Sequence, residues 1–248
     1  MPDIIISNEG PVRKVRINRP DKKNALTLAM YETLAAAIED AGREANVRCL
    51  LIAGAPEIFC AGNDLNDFLD MARSGGLGAP IVRFLHTLAR CEKPMVAAVS
   101  GAAVGIGTTM LLHCDQVVAA DNAALMTPFA SLGLLPEAGS SLIAPRLMGH
   151  ARAFSMLVMG KSLTAQEART AGIVTSVVPA AELDAQSFAV AREIAALPPE
   201  SVAAARRLMR GSVEEIVARI DEEVDMFKTR LASPEAKAAL AAFLNRKR

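Results

Sequence analysis

Two glycine-rich turns are the part of this sequence best suited to chemistry: Phe59-Cys60-Ala61-Gly62-Asn63-Asp64-Leu65 and Gly101-Ala102-Ala103-Val104-Gly105-Ile106-Gly107. Each follows an apolar, strand-like run, Cys49 to Ile52 in the first case and Met95 to Val99 in the second. Glycine lets a backbone turn sharply and brings its N–H groups close to a ligand. Two such turns can aim two N–H donors at one oxygen, forming an oxyanion hole that stabilises an enolate or a tetrahedral oxyanion. A dinucleotide site is excluded. The G-x-G-x-x-G spacing would need glycine at position 110, which is Met110, and Asp121 begins a turn instead of ending a strand.

The elements that must hold these turns follow from periodicity. Ile4 to Ser7 and Val12 to Ile17 flank Asn8-Glu9-Gly10 and read as a hairpin. Thr27 fits the N-cap of a helix reaching about Ala45, with Leu28, Tyr31, Leu34, Ala35 and Ile38 on one face. Cys49 to Ala53, Met95 to Val99 and Asp115 to Ala120 read as strands, and Gly105 to Leu112 as a helix. Two further helices, Asn66 to Ala72 and Ala79 to Arg90, are separated by Gly75-Gly76-Leu77-Gly78, which reads as a solvated linker or a mobile loop near the site. Thr164-Ala165-Gln166-Glu167 has the form of a capping box, and Gly172 fits a helix C-cap before a strand from Ile173 to Val178. After Pro179 the pattern is helical, broken at Pro198-Pro199, Gly211 and Ser233-Pro234. Strand–helix–strand alternation implies α/β architecture with parallel strands.

Composition removes several functions. The 248 residues are 52% hydrophobic and 22% charged, which is the balance of a globular chain. Lys plus Arg and Asp plus Glu both number 27, so no overall field favours nucleic acid. Cys49, Cys60, Cys91 and Cys114 form no C-x-x-C pair and read as buried free thiols in a reducing compartment. His86, His113 and His150 lack metal-ligand spacing, and His113 reads as a packing residue, so no metal is expected. Met1-Pro2-Asp3-Ile4 lacks a basic n-region, Asn245-Arg246-Lys247-Arg248 is not a peroxisomal signal, and no apolar run is long enough for a membrane span. A cytoplasmic protein is expected, with no membrane partner.

Both glycine turns, together with Asn18-Arg19-Pro20 and Lys23-Asn24-Ala25-Leu26, resemble the signature of the enoyl-CoA hydratase/isomerase (crotonase) superfamily, and the resemblance covers essentially the whole chain. It implies a spiral of strand–strand–helix repeats over residues 1–195 and a C-terminal helical region, 196–248, that builds a homotrimer or a hexamer. The stripe Ile216, Ile220, Val224 and Phe227 shows by itself only an amphipathic helix. The implied substrate is an acyl-CoA thioester whose oxygen lies between the backbone N–H groups of Asn63 and Ile106. Ala61, Gly62, Asp64 and Leu65 would line the CoA entrance together with Gly105, and Ala25 would lie near the adenine. Lys22, Lys23, Arg246 and Lys247 are possible partners of CoA phosphates or else solvated charges. Asp64 reads as holding its turn through backbone hydrogen bonds.

The positions at which hydratases of this family carry two glutamates fall on Thr109 and Phe129, neither of which can act as a general base. One acid remains, Glu137 in Leu134-Leu135-Pro136-Glu137-Ala138-Gly139-Ser140-Ser141. On spacing alone it is a solvated charge favoured by a helix N-terminus. However, Ala103-Val104-Gly105-Ile106, Thr127-Pro128-Phe129 and Pro136-Glu137 resemble the 3-enoyl-CoA to 2-enoyl-CoA isomerase subgroup, in which a glutamate at this position is the sole acid/base. That implies proton transfer from C2 to C4 through a dienolate, with no cofactor beyond the CoA of the substrate. Hydration or another lyase or hydrolase reaction, and acyl-CoA binding without turnover, stay open as alternatives.

Overall fold

The computed structural model describes residues 1–74 and 76–245. The chain opens with the expected hairpin: β1 (Ile4–Glu9) and β2 (Val12–Ile17) pair antiparallel from Ile4↔Ile17 to Glu9↔Val12. Helix α1 (Leu28–Arg43) follows, its first turn capped where the Thr27 hydroxyl accepts the Met30 N–H at 3.3 Å. Tyr31, Leu34, Ala35 and Ile38 are its buried face.

Three strand pairs then repeat one pattern: β3 (Cys49–Ala53) with β4 (Ile58–Cys60), β5 (Met95–Val99) with β6 (Ala102–Val104), and β7 (Gln116–Ala120) with β8 (Ala124–Met126). The first strand of each pair enters a six-stranded sheet ordered β1-β2-β3-β5-β7-β10, in which β10 is Ser176–Val178. The second enters a four-stranded sheet ordered β4-β6-β8-β9, in which β9 is Leu163–Thr164. This is the spiral the resemblance implies. Strands β3 and β5 are buried along their whole length, as parallel strands covered on both faces must be. The two-residue period splits β3 between two cores. Leu50 and Ile52 face the main one, whereas Cys49, Leu51 and Ala53 face a smaller one closed by Leu183, Ala191 and Ala195 of α8 (Leu183–Ala196).

Between the pairs lie α2 (Leu65–Ser74), α3 (Ala79–Arg90) and α4 (Ile106–Thr109), and then α5 (Ser140–Met148), α6 (His150–Leu157) and α7 (Ala165–Thr170). The capping box at Thr164 and Glu167 is present. The helix expected from Gly105 to Leu112 divides into α4 and a 3-10 turn over Met110–His113. The strand expected from Ile173 begins only at Ser176, because the N–H groups of Ile173 and Val174 return to the Ala168 carbonyl and close α7. In the stretch expected to be a solvated linker, Gly75 lies outside the described residues. Leu77 packs on the main core, the Gly78 N–H lies 3.2 Å from Met71 Sδ, and a Cβ at Gly78 would meet Leu28 Cδ2 at 2.5 Å, so this part is packed.

The C-terminal helices α9 (Pro199–Arg210), α10 (Val213–Leu231) and α11 (Pro234–Asn245) break where expected. The stripe of Ile216, Ile220, Val224 and Phe227 is buried in the chain's own core, with α10 packed on α3 and α5, so this stripe calls for no partner. The large apolar side chains most open to solvent in this region are instead Leu208 and Met209 of α9, 81% and 82% exposed. Among the described residues no helix is long and apolar enough to cross a membrane.

Candidate active site

The two glycine turns leave one edge of the smaller sheet side by side, because β4 and β6 are parallel and pair Ile58 with Ala102 and Cys60 with Ala103. Their backbones touch. A Cβ on Gly62 would lie 3.1 Å from the Val104 carbonyl oxygen, and one on Gly107 would lie 2.7 Å from that of Cys60, so only glycine permits this approach.

The segment before α1 lies along the first turn. Buried Asn24 accepts the Arg19 N–H at 2.8 Å and donates to the carbonyls of Ile58 and Phe59 at 2.9 and 3.1 Å. The Leu26 N–H then donates to the Gly62 carbonyl and the Asp64 N–H to the Leu26 carbonyl, both at 2.8 Å. These bonds bring Ala25, Ala61, Gly62, Asn63, Asp64 and Leu65 together. The Asn63 N–H, between two paired neighbours, meets no acceptor among the described residues. Nor does the N–H of Ile106, the first residue of α4, where a helix has no internal acceptor to offer.

Asp64 is tied into this turn. Its carboxylate accepts from Arg19 Nη1 at 2.7 Å and from the Asn66 N–H at 3.0 Å. Burial works against its charge, but the Arg19 guanidinium and the N–H groups of Asn66 and Asp67 outweigh it and hold the carboxyl below its ordinary range. The Tyr31 hydroxyl, from α1, donates to Asn63 Oδ1 at 2.6 Å and fixes that side chain. Sequence reading had placed Tyr31 only on the apolar face of its helix. The available signal was that the chain has a single tyrosine, and a buried tyrosine hydroxyl needs a partner.

Glu137 is buried, not a solvated helix-end charge: it is 5% exposed. Burial first, then the negative charge of Glu223, pushes its carboxyl up to about 8, with only a Thr109 hydrogen bond acting in the opposite direction. Its Oε1 has no hydrogen-bond partner among the described residues. Thr109 Oγ1 lies 3.3 Å from the Gly105 carbonyl oxygen, to which it donates, so the hydroxyl sits by the second glycine turn. The turn carrying Glu137 is unusual, because Ala138 and Gly139 are both left-handed, at φ 62° and 69°. For alanine that conformation costs about 1–2 kcal/mol. It is braced from two sides. His113 Nε2 donates to the Ala138 carbonyl at 2.7 Å, burial holding this imidazole neutral with its pKa down to about 4. Glu223, on α10, accepts from the Gly139 N–H at 2.7 Å, the Ser141 N–H at 3.0 Å and the Ser141 hydroxyl at 2.6 Å. Neither His113 nor Glu223 was singled out for this work by the sequence.

Burial above all, and then the negative charge of Glu137, holds the Tyr31 hydroxyl well above its ordinary value. Phe129 is buried in the same core as Ile106 and Ala138. Lys22 and Lys23 are exposed, and Arg246 and Lys247 lie outside the described residues. Cys49, Cys60 and Cys91 are buried free thiols and Cys114 is half-buried. Among the described residues no three His, Cys, Asp or Glu side chains are grouped to hold a metal ion.

Residues 7–248 match the enoyl-CoA hydratase/isomerase family. The chain is 38% identical over 252 residues to enoyl-CoA delta isomerase 2 of Rattus norvegicus, covering 98% of this chain and 64% of that protein. It is 31% identical over 248 residues to 2,3-dehydroadipyl-CoA hydratase of Escherichia coli K12, covering 100% of this chain and 97% of that one. Among solved structures, OdaA of Pseudomonas aeruginosa superposes with a TM-score of 0.93 at 43% identity, covering 97% of this chain and 98% of that chain. The chain therefore spans somewhat less than two thirds of the rat relative, and its relatives carry both isomerase and hydratase names.

Proposed function

The chain belongs to the enoyl-CoA hydratase/isomerase family of enzymes, and from that premise we propose that it moves the double bond of a 3-enoyl-CoA to the 2-trans position. Glu137 removes a C2 proton, which is acidified by both the thioester and the double bond. The N–H groups of Asn63 and Ile106 hold the oxygen of the resulting dienolate. Protonated Glu137 then delivers the proton to C4, so one carboxyl serves as base and then as acid, and the substrate's CoA is the only cofactor the reaction uses.

The observation that carries this reading is the Glu137 carboxyl: buried, with one oxygen unpartnered among the described residues, and pushed up to about 8. A proton affinity in that range suits a group that must both take and return a proton. Two more features support it. The side chains at the two acid positions of hydratases are Thr109 and Phe129, and the Asn63 and Ile106 N–H groups have no acceptor among the described residues. The same reading makes the protein a homo-oligomer, with solvent-exposed Leu208 and Met209 at a subunit contact.

The test supplies 3-hexenoyl-CoA and crotonyl-CoA to the protein separately. Conjugation absorbance should rise with the first substrate, with little 3-hydroxyacyl-CoA from the second. Because protonated Glu137 cannot take the C2 proton, kcat/KM should fall as the pH drops through about 8. Strong hydration of crotonyl-CoA without isomerisation would replace this reading with a hydratase, and binding of both thioesters without turnover would make the chain a carrier.

A further inference from the structure

Of the groups that face Glu137, three come from elements already described around the site: the Tyr31 hydroxyl from α1, the Cys60 thiol from β4 and the Thr109 hydroxyl from α4. The fourth is the Glu223 carboxylate from α10. The hydroxyls are neutral near physiological pH, and burial pushes the Cys60 thiol up to about 12, so it is neutral too. Glu223 is therefore the one charge that reaches Glu137 from its surroundings among the described residues. It is also the clamp on the turn. Three donors, the N–H groups of Gly139 and Ser141 and the Ser141 hydroxyl, converge on its two oxygens. Arg219 Nη1 donates to that same hydroxyl at 3.3 Å, and its positive charge favours the Glu223 carboxylate.

A turn containing left-handed Ala138 does not hold its shape unaided, because a non-glycine residue in that region persists only where its surroundings enforce it. Here the enforcement acts within four residues of the reacting carboxyl, and it comes from a helix more than eighty residues further along the chain. We propose that Glu223 is a positioning residue for catalysis: it fixes the Glu137–Ser141 turn so that the Glu137 carboxyl points at the substrate, and it presents that carboxyl with a second negative charge. The proposal rests on Glu137 being the proton-transfer group. Burial raises Glu223 above its ordinary value, while the donors from Ser141 and Gly139 and the charge of Arg219 favour its ionised form.

Two substitutions separate the two effects. Glu223→Asp keeps the charge but shortens the reach. It should lower kcat about tenfold, since small displacements of a reacting group are costly, and leave the acid limb of kcat/KM in place. Glu223→Gln removes the charge, and its acid limb should move about one pH unit lower. An acid limb for Glu223→Gln that coincides with wild type, or an unchanged kcat for Glu223→Asp, would overturn the proposal. An infrared titration of the Glu137 carboxylic-acid band, assigned by its loss in Glu137→Gln, reads the same shift without substrate. If no acyl-CoA is turned over but this band titrates lower in Glu223→Gln, the charge contact stands and only the isomerase reading falls. Should the glutamine variant fail to fold, the aspartate variant decides, through kcat and the infrared midpoint together.

Discussion

Asp64 and Glu137 are both buried carboxyls in the same site, 8% and 5% exposed, yet their surroundings drive them in opposite directions. Asp64 has a guanidinium 2.7 Å away and N–H donors from its own turn, so it is fixed as a carboxylate. Glu137 is desolvated by burial, lies near another carboxylate and has an oxygen with no partner among the described residues, so it favours its proton despite one hydroxyl. Burial pushes both carboxyls upward; at Asp64 the guanidinium and the N–H donors overcome it, whereas at Glu137 it prevails. What separates a structural acid from a reacting one is whether its hydrogen-bonding capacity is already spent.

The largest effect that could break this contrast is on turnover. Glu137→Gln keeps size and shape but cannot take a proton, and kcat should fall by roughly 10²–10⁴ with little change in acyl-CoA binding. Asp64→Asn should do the reverse. It leaves Arg19 facing a neutral amide in a buried setting, which costs about 1–3 kcal/mol of stability, while the folded fraction keeps most of its kcat. Parallel measurement of kcat and urea midpoints for the two variants checks this. Equal losses of kcat would erase the distinction between the two acids.

The two regions also differed in how far the sequence disclosed them. The turn around Asp64 is local: Gly62, Asn63 and Asp64 lie within a few residues, and the pairing of Leu26 with Gly62 and Asp64 joins segments whose motifs had already been matched together. Its residues were legible because they are contiguous, although the partners that hold them, Arg19 and Leu26, lie well back along the chain. The Glu137 turn depends on His113 and on Glu223, the latter 84 residues from Gly139, and no spacing rule joins them. Spacing alone made Glu137 a solvated charge, and only the resemblance pointed to its role. The strand pattern was legible for the same local reason, since β3 and β5 are uninterrupted apolar runs and β7 is one from Val117 onward. The shortened β10 was not, because the Ala168 carbonyl competes for the N–H groups of Ile173 and Val174. The α10 stripe showed that an apolar face would be buried, not that its own chain would bury it.

A second, smaller effect sharpens the contrast through the pH dependence of stability. The folded-state pKa of Glu137, about 8, lies above the unfolded value of 4.5. The native state then holds an extra proton between these values. The stability this group contributes is present at low pH and is lost as pH rises through that window, at up to about 1.4 kcal/mol per pH unit. Asp64 has its folded value lowered, so its contribution is present above the unfolded range and is lost as pH falls. Thermal melts from about pH 2 to pH 9 should therefore show Glu137→Gln gaining on wild type as pH rises. The deficit of Asp64→Asn should shrink at the acid end. A Glu137→Gln curve parallel to wild type would mean that the carboxyl is not held protonated by its surroundings.

The smallest expected effect concerns Tyr31, which holds Asn63 and feels the charge of Glu137. Its hydroxyl donates to Asn63 Oδ1 at 2.6 Å, and its ring packs edge-on against Phe84 with centroids 5.4 Å apart. Tyr31→Phe keeps the ring and removes only the hydrogen bond. Deleting one neutral partner of a buried pair is worth about 1 kcal/mol. If the loss falls on the alignment of the Asn63 N–H with the developing oxyanion, it corresponds to about a fivefold drop in kcat. Because that N–H gains most from the oxyanion and less from the ground-state carbonyl, kcat should fall while KM stays near its wild-type value. The acid limb of kcat/KM should not move, since a hydroxyl that remains neutral contributes no charge to Glu137. A shifted acid limb with unchanged kcat would instead show that Tyr31 acts on the proton-transfer group, and the division between an oxyanion turn and a proton-transfer turn would have to be redrawn around it.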